Sequence, residues 1–437
     1  MRAIHVGLLG LGNVGAGVIK ILDENREDIE GRLAASVRVS RVLVRDVDKP
    51  REVFVDASLL TTDIAAVIDD PDVRVVIEVI GGIEPARSWV LAALAAGKHV
   101  VTANKALLAE HGEEIFAAAA ARGLSVYFEG SVAGGIPVLR ALREGLASDR
   151  IERITGIVNG TSNYILDAMT RHGIAYEEAL KRAHEAGYAE ADPTLDVEGF
   201  DAAHKLALLT LVSFGLRVDP KAIHTTGITG IRPFDIRMAR EHGYVIRSLA
   251  IAELDADGRP MLRVHPTFLP EWHVLAGVHG AYNAVQVESR ALGRSLYYGQ
   301  GAGMMPTGMA VVSDLVEVCR ELMTFNESGP PPEAFHGVTS VEAAPLDQQV
   351  SENYLCVHVP NVPGILGRVA SCLGRHGVSI KRVNQDTPVP GEDVNMVIWT
   401  EAVEEHKLQS ALAELDEFDD TAGPTDRIRI MPAEAVD

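Results

Sequence analysis

Cysteine is scarce in this chain. The three present in 437 residues, Cys319, Cys356 and Cys372, are odd in number and lie far apart. They form neither a disulfide framework nor the paired spacing of a structural zinc site. They read as buried thiols in a reducing, cytoplasmic setting. Positive charge is also short: 40 lysines and arginines against 61 acids leave a net charge of −21. Nucleic-acid binding needs a basic stripe, and its lack excludes a polyanion as main partner. No apolar run reaches membrane-spanning length, which excludes an embedded helix. The opening "MRAIHVGLLGLG" meets its glycines too early for a signal peptide and shows no small-residue cleavage pattern. What is present, 47% hydrophobic and 23% charged residues, is ordinary globular composition with length enough for two or three cores.

The patterning divides the chain. Apolar strands at residues 2–9, 37–44 and 73–81 alternate with helical periodicity at 14–30 and in "ARSWVLAALAAG", which predicts βαβ units and a parallel sheet. From Ser131 to about Gly301 the pattern becomes α+β. It has glycine-bearing loops, helices at 176–187 and 201–214, and strand-like pieces such as "HVLAGVHGAYNAVQVES". "GQGAGMMPTGMAVVSDLVEV" is a glycine loop feeding a helix, with Pro306 tolerated in its first turn. "ESGPPPEAF" reads as linker. Beyond it, strands at 353–359, 378–383, 394–400 and 427–431 and helices at 364–376 and 404–415 follow the order βαββαβ of a ferredoxin-like sandwich. The predicted fold class is therefore α/β with three units. A Rossmann-type parallel-sheet domain (1–130, completed by 303–326) precedes an α+β domain (131–302). A linker (327–350) then leads to a small C-terminal domain (351–432).

Gly10, Gly12 and Gly15 make G-x-G-x-x-G between a strand and a helix. The first permits the tight turn, the second lets backbone approach a pyrophosphate, and the third lets helix and strand pack closely. The helix N-terminus at Asn13 and Val14 then offers free N–H groups to the anion. The alternative is a glycine turn in a nucleotide-free α/β fold. The second strand runs into Val44-Arg45-Asp46, with Lys49 nearby. Arg45 and Lys49 suit a 2′-phosphate, whereas Asp46 keeps the unphosphorylated cofactor open. Thr102, Asn104 and Lys105 follow a strand directly, at the end of the sheet where ligands bind.

The acids concentrate in "AEADPTLDVEGFDAAHK", residues 189–205. Asp192-Pro193 breaks helix, so residues 190–199 form a loop that positions side chains. Asp201 and Lys205 share one face of the next helix, whose remainder is almost wholly apolar. Two readings stand: a structural ion pair on a core helix, or a lysine whose acid–base behaviour is set by burial against neighbouring carboxylates.

The motifs "GLGNVGAGV", "VIGGIEPARSWVLAALAAGKHVVTANKALLA", "EGSVAGGIPVLRALREGLA", "GIVNGTSNYIL" and "GYAEADPTLDVEGFDAAHKLALL" together resemble homoserine dehydrogenase over roughly residues 4–325. "VHVPNVPGILGRVASCLGRHGVSI" resembles an ACT domain, an amino-acid-sensing module. The resemblance implies interconversion of L-homoserine and L-aspartate 4-semialdehyde with NADP or NAD, on the route to threonine, isoleucine and methionine. It implies Lys205 as the acid–base residue and Lys105 as its assistant, with Glu190, Asp196 and Asp201 holding the substrate. Gly187 and Gly303 would line the cofactor. A loop at Glu129, Val132, Gly134 and Ile136 would bind a monovalent cation, Na+ or K+. Asn361, Gly364 and Ile365 would meet an amino-acid effector, threonine. Asn361 stands where such modules usually carry an aspartate, and Ser162 replaces a more usual threonine. The same resemblance makes residues 131–302 the substrate-binding and dimerisation domain and implies a homodimer or homotetramer. Two other readings remain: a related enzyme acting on another amino-acid semialdehyde, and a non-catalytic sensor that kept the nucleotide fold.

Overall fold

The computed structural model describes residues 2–324, 339–385, 393–418 and 423–432. Six parallel strands form the first sheet, in the order Leu60–Thr61, Ala35–Leu43, Arg2–Leu9, Val73–Glu78, His99–Thr102, Val126–Tyr127. Helices Asn13–Glu24 and Met304–Thr324 share one apolar cluster with these strands. Helices Ala86–Ala95 and Lys105–Ala120 share another. Covered on both faces, the strand Val73–Glu78 is buried at all but one position, as its unbroken apolar run requires. The strand order reverses between Arg2–Leu9 and Val73–Glu78, which opens a ligand crevice at their carboxyl ends. The helix expected at 14–30 is two helices, Asn13–Glu24 and Arg26–Leu33, parted at Asn25.

The second sheet runs from the middle of the chain into its C-terminal region. Its order is Gly293–Gln300, Tyr282–Ser289, Ile151–Ile157, Tyr244–Leu254, Pro260–Pro270, Asp426–Ile430, Val350–Pro360, Asp393–Thr400, Ile380–Gln385. The join is a short parallel pairing, Thr267 with Arg429 and Phe268 with Ile430. The last four strands, with helices Ile365–Arg375 and Glu405–Asp416, follow the βαββαβ order expected. The fold class is thus a parallel nucleotide sheet, a mixed sheet and a C-terminal sandwich. Alternation misreads one stretch: residues 274–277 form a 3-10 turn, and the strand begins only at Tyr282.

Of the expected linker, residues 327–338 lie outside the described residues. Thr339–Ser340 pairs with Leu216–Arg217, and Leu346–Gln348 forms a 3-10 turn. Among the described residues, no helix is long and apolar enough to cross a membrane.

Candidate active site

The three glycines lie in the turn between the strand Arg2–Leu9 and the helix Asn13–Glu24 and in that helix's first turn. Gly10 has φ +102°, and a side chain there would meet Ile80 at 2.9 Å. A Cβ on Gly15 would fall 2.2 Å from the Gly10 carbonyl oxygen, so this position sets the close packing of helix on turn. A Cβ on Gly12 would meet nothing within 4 Å. That open space belongs to a cavity of about 730 Å³, lined among others by Gly10, Gly12, Asn13, Arg45, Asp46 and Lys49. A dinucleotide fits this site: the backbone is bare where a pyrophosphate would approach, and charged side chains stand at the far end. Val14 and Gly15 do not line the cavity; Val14 packs against the core and Gly15 is buried. Arg51, which the sequence reading passed over, also lines it. It braces the loop by donating to the carbonyls of Asp46, Val47 and Lys49, which holds Arg45 and Lys49 at the rim.

Where the nucleotide sheet meets the middle domain, one buried carboxylate bridges two lysines. Asp201 Oδ1 lies 3.1 Å from Lys105 Nζ, and Asp201 Oδ2 accepts from Lys205 Nζ at 2.7 Å. Lys205 also donates to the Val158 carbonyl at 2.7 Å. Burial pushes the Asp201 carboxyl up, but Lys205 and Lys105 outweigh it and hold it below the usual carboxylate range. Asp201 in turn raises Lys105 above its ordinary value, against burial. The residues of the two proposed readings of Lys205 therefore coincide. The ion pair on the core helix exists, and a second lysine arrives from the other domain to share it.

Asn159 organises the acids. Its amide donates to Asp196 Oδ1 at 2.6 Å and to Asp201 Oδ2 at 2.8 Å, while its oxygen accepts from the Ser162 amide at 2.8 Å and caps the helix Gly160–His172. Burial raises the Asp196 carboxyl, with the Asn159 bond opposing it. Glu190 is exposed and adds to the field at Lys105. The loop carrying these acids contains one helical turn, Thr194–Val197. Just before it, Asp192 accepts from the Thr194 amide and hydroxyl at 3.1 and 2.6 Å, and Glu198 accepts from Thr229 Oγ1 at 3.1 Å. Locally Asn159 reads as a helix cap; its part among the acids has no local sign, because those partners are 37 and 42 residues away.

The remaining expected cofactor residues take several positions. Thr102 is buried and donates to Glu78 Oε2 at 2.6 Å. Asn104 caps the helix that begins at Lys105. Gly187 is exposed with φ +75° and open space over its Cα. Gly303, φ +125°, precedes Met304, which lines the cofactor cavity.

Residues 10–129 match the family described as homoserine dehydrogenase, NAD binding domain, residues 137–316 match homoserine dehydrogenase, and residues 354–420 match the ACT domain. A homoserine dehydrogenase of Bacillus subtilis is 42% identical over 96% of each chain. One from Pseudomonas aeruginosa is 41% identical over 98% of this chain and 99% of that one. The chain belongs to the homoserine dehydrogenase family. The crystal structure of a homoserine dehydrogenase from Thiobacillus denitrificans superposes with a TM-score of 0.93 at 44% identity over 99% of each chain. The family places this chain among NAD(P)-dependent oxidoreductases with a C-terminal ACT domain.

The loop at Glu129–Ile136, expected to hold a cation, has two successive left-handed residues, Ala133 at φ +53° and Gly134 at φ +54°. A Cβ on Gly134 would lie 2.4 Å from Gly301. The Glu129 carboxylate is already taken by the Leu139 and Arg140 amides at 2.9 and 2.8 Å. Any cation here would therefore rely on the carbonyls of the loop, the hard oxygen ligands such an ion takes. In the ACT domain, Gly364, φ +92°, caps the helix Ile365–Arg375, Ile365 points into the core, and Asn361 is half-buried. A shallow cleft of about 550 Å³ beside them is lined by Gly364, Arg368, Ser371 and Arg375, so Gly364 is the one expected effector residue on its wall.

Two clusters of metal-ligating types also occur in the ACT domain. In Cys356, His358 and Asp426, the Arg232 guanidinium reaches His358 at 3.1 Å and Asp426 at 2.8 Å, standing where a cation would. In Cys372, His376 and Glu414, the acid is paired with Arg375 and with His376. In both, the acid's negative charge is met by an arginine of the chain itself.

Proposed function

We propose that this chain interconverts L-homoserine and L-aspartate 4-semialdehyde with NADP or NAD. The observation that carries the reading is the Lys105–Asp201–Lys205 bridge, with Lys105 just beyond the carboxyl end of the strand His99–Thr102. The bound nicotinamide supplies or takes the hydride at the carbon that changes oxidation state. An ammonium has three donors. Val158 and Asp201 take two of those on Lys205, which leaves the third for the substrate oxygen. Lys205 stabilises the developing alkoxide and protonates it in reduction; as the neutral amine it takes the proton back in oxidation. Lys105 supports the same oxygen from the cofactor side. Asp196 and Glu190 offer carboxylates to the substrate ammonium through charge-assisted hydrogen bonds. Asp201, its oxygens engaged by the lysines and Asn159, sets their positions.

The same proposal includes threonine, isoleucine and methionine synthesis as the route served and L-threonine as the ACT effector. It also includes a cation held by the 129–136 loop, a dimer or tetramer, and a cytosolic setting in keeping with three buried free thiols. Homoserine-dependent reduction of NADP+ or NAD+, followed by nicotinamide absorbance, tests the activity. Its absence with both cofactors would refute the enzyme reading. In the same assay, added L-threonine should lower the rate, and a rate unchanged across millimolar threonine would refute the effector.

A further inference from the structure

Glu78 is a wholly buried acid at the carboxyl end of the strand Val73–Glu78, between the strand leading to Gly10 and the strand ending at Thr102. Its carboxylate accepts from two backbone amides of the next loop, Ile80 at 2.9 Å and Gly81 at 3.4 Å. Its other oxygen accepts from Thr102 Oγ1 at 2.6 Å. Thr102 Oγ1 accepts the Asn104 amide at 3.0 Å, and Asn104 donates to the Gly82 carbonyl at 2.7 Å, closing a ring. One side of that ring is the loop whose Val79, Ile80 and Gly81 line the cofactor cavity and on which Gly10 rests. The other side is the cap of the helix that begins at Lys105.

We infer that Glu78 is a positioning residue that ties the cofactor loop to the start of the Lys105 helix. The donors around it all point inward, so the ring as built needs the charged carboxylate. None of its hydrogen bonds among the described residues comes from a cation. A buried charge held only by dipoles costs stability, and burial accordingly raises its proton affinity. A charge kept at such a cost, at the junction of two functional loops, is kept for geometry. With glutamine in its place, an amide N–H2 would face the Thr102 hydroxyl. That hydroxyl would have to turn, loosening both loops at once. The inference rests on dinucleotide binding and on the placing of Lys105, not on the identity of the substrate.

The test measures NADPH binding to the substrate-free chain through the fluorescence of Trp89, which lines the cavity, together with Tm. Glu78→Gln should hold or raise Tm, because it removes a desolvated charge, while weakening NADPH by about tenfold, the scale of one charge-assisted hydrogen bond. Thr102→Val cuts the same link and should weaken NADPH likewise, with Thr102→Ser as its conservative rescue. The double variant Glu78→Gln/Thr102→Val should be no weaker than either single one, since both remove one coupling. NADPH affinity unchanged in Glu78→Gln, or losses that add in the double variant, would overturn the inference. Wild-type chain binding neither NADPH nor NADH would instead overturn the dinucleotide reading beneath it.

Discussion

The nucleotide and middle domains meet at Asp201, between Lys105 and Lys205. Near the seam with the ACT domain, Glu405 accepts two 2.6 Å bonds from Arg427, one of 3.1 Å from Arg429 and one of 2.9 Å from Gln409. Both junctions bury a carboxylate among cations, yet the cations differ. A lysine holds a compact charge with a donor to spare and can exchange its proton. An arginine keeps its proton throughout and spends its donors in a fixed fork. The first junction therefore suits chemistry and the second suits fastening. Buried charge alone does not mark an active site; what marks it is a cation left incompletely satisfied.

Four experiments bear on that contrast. The largest expected effect is at the first junction. Lys205→Ala should lower kcat/KM by about 10²–10⁴, the range for a general acid–base residue, with the fold kept, since Lys105 and Asn159 still serve Asp201. Steady-state kinetics and a melting curve measure both, and near-normal turnover would remove Lys205 from its role. Glu405→Ala should do the reverse. Leaving Arg427 and Arg429 buried without their acid should cost roughly 3–5 kcal/mol of stability, read in a denaturant series, with homoserine turnover intact below the transition. A change confined to turnover would erase the distinction between the junctions.

A third experiment uses pH. Burial opposes it, but Arg427 and Arg429 hold the Glu405 carboxyl down to about 2 from the usual 4.5. A depressed carboxyl contributes stability that is complete above 4.5 and fades as pH falls from 4.5 towards 2. The contribution is about 3 kcal/mol at most, by the usual conversion of a pKa shift to free energy. Wild type should therefore lose Tm through that window more steeply than Glu405→Gln. Parallel slopes would show that the acid is not held as described. The smallest effect is expected at the cavity rim. Arg45→Ala should weaken NADPH by about tenfold or less and leave NADH unchanged, if Arg45 meets the 2′-phosphate. Equal losses for both cofactors would assign it to the loop instead.

The parts legible in the sequence were those whose partners lie close along the chain. Gly10 and Gly15 were legible because a strand–turn–helix leaves no room for a side chain at either. Asp201 and Lys205, four apart on one helix, were bound to meet. Lys105 was placed by the rule for carboxyl ends of parallel strands, but its pairing with Asp201 spans two domains and has no local sign. Asn159 and Glu78 escaped for the same reason. One reads as a helix cap and the other as the end of an apolar strand, and only the assembled sheets show what they hold. The ACT domain was legible as a βαββαβ unit. Its edge pairing with the strand Pro260–Pro270 was not, because a strand's sequence does not name its neighbour.

That edge pairing bears on how the chain is made. During synthesis the strand Pro260–Pro270 emerges long before Asp426–Ile430, so for the interval between them part of its edge offers bare amides and carbonyls to any passing strand. Exposed edges of this kind recruit other nascent chains. The stretch left waiting is short: it lies at Thr267 and Phe268, because Arg263 and Val264 already pair with His224 and Thr225, made before them. Arg263 is held besides by Glu253 at 2.7 Å, on the strand made just before it. Closing that short stretch is left to Asp426–Ile430.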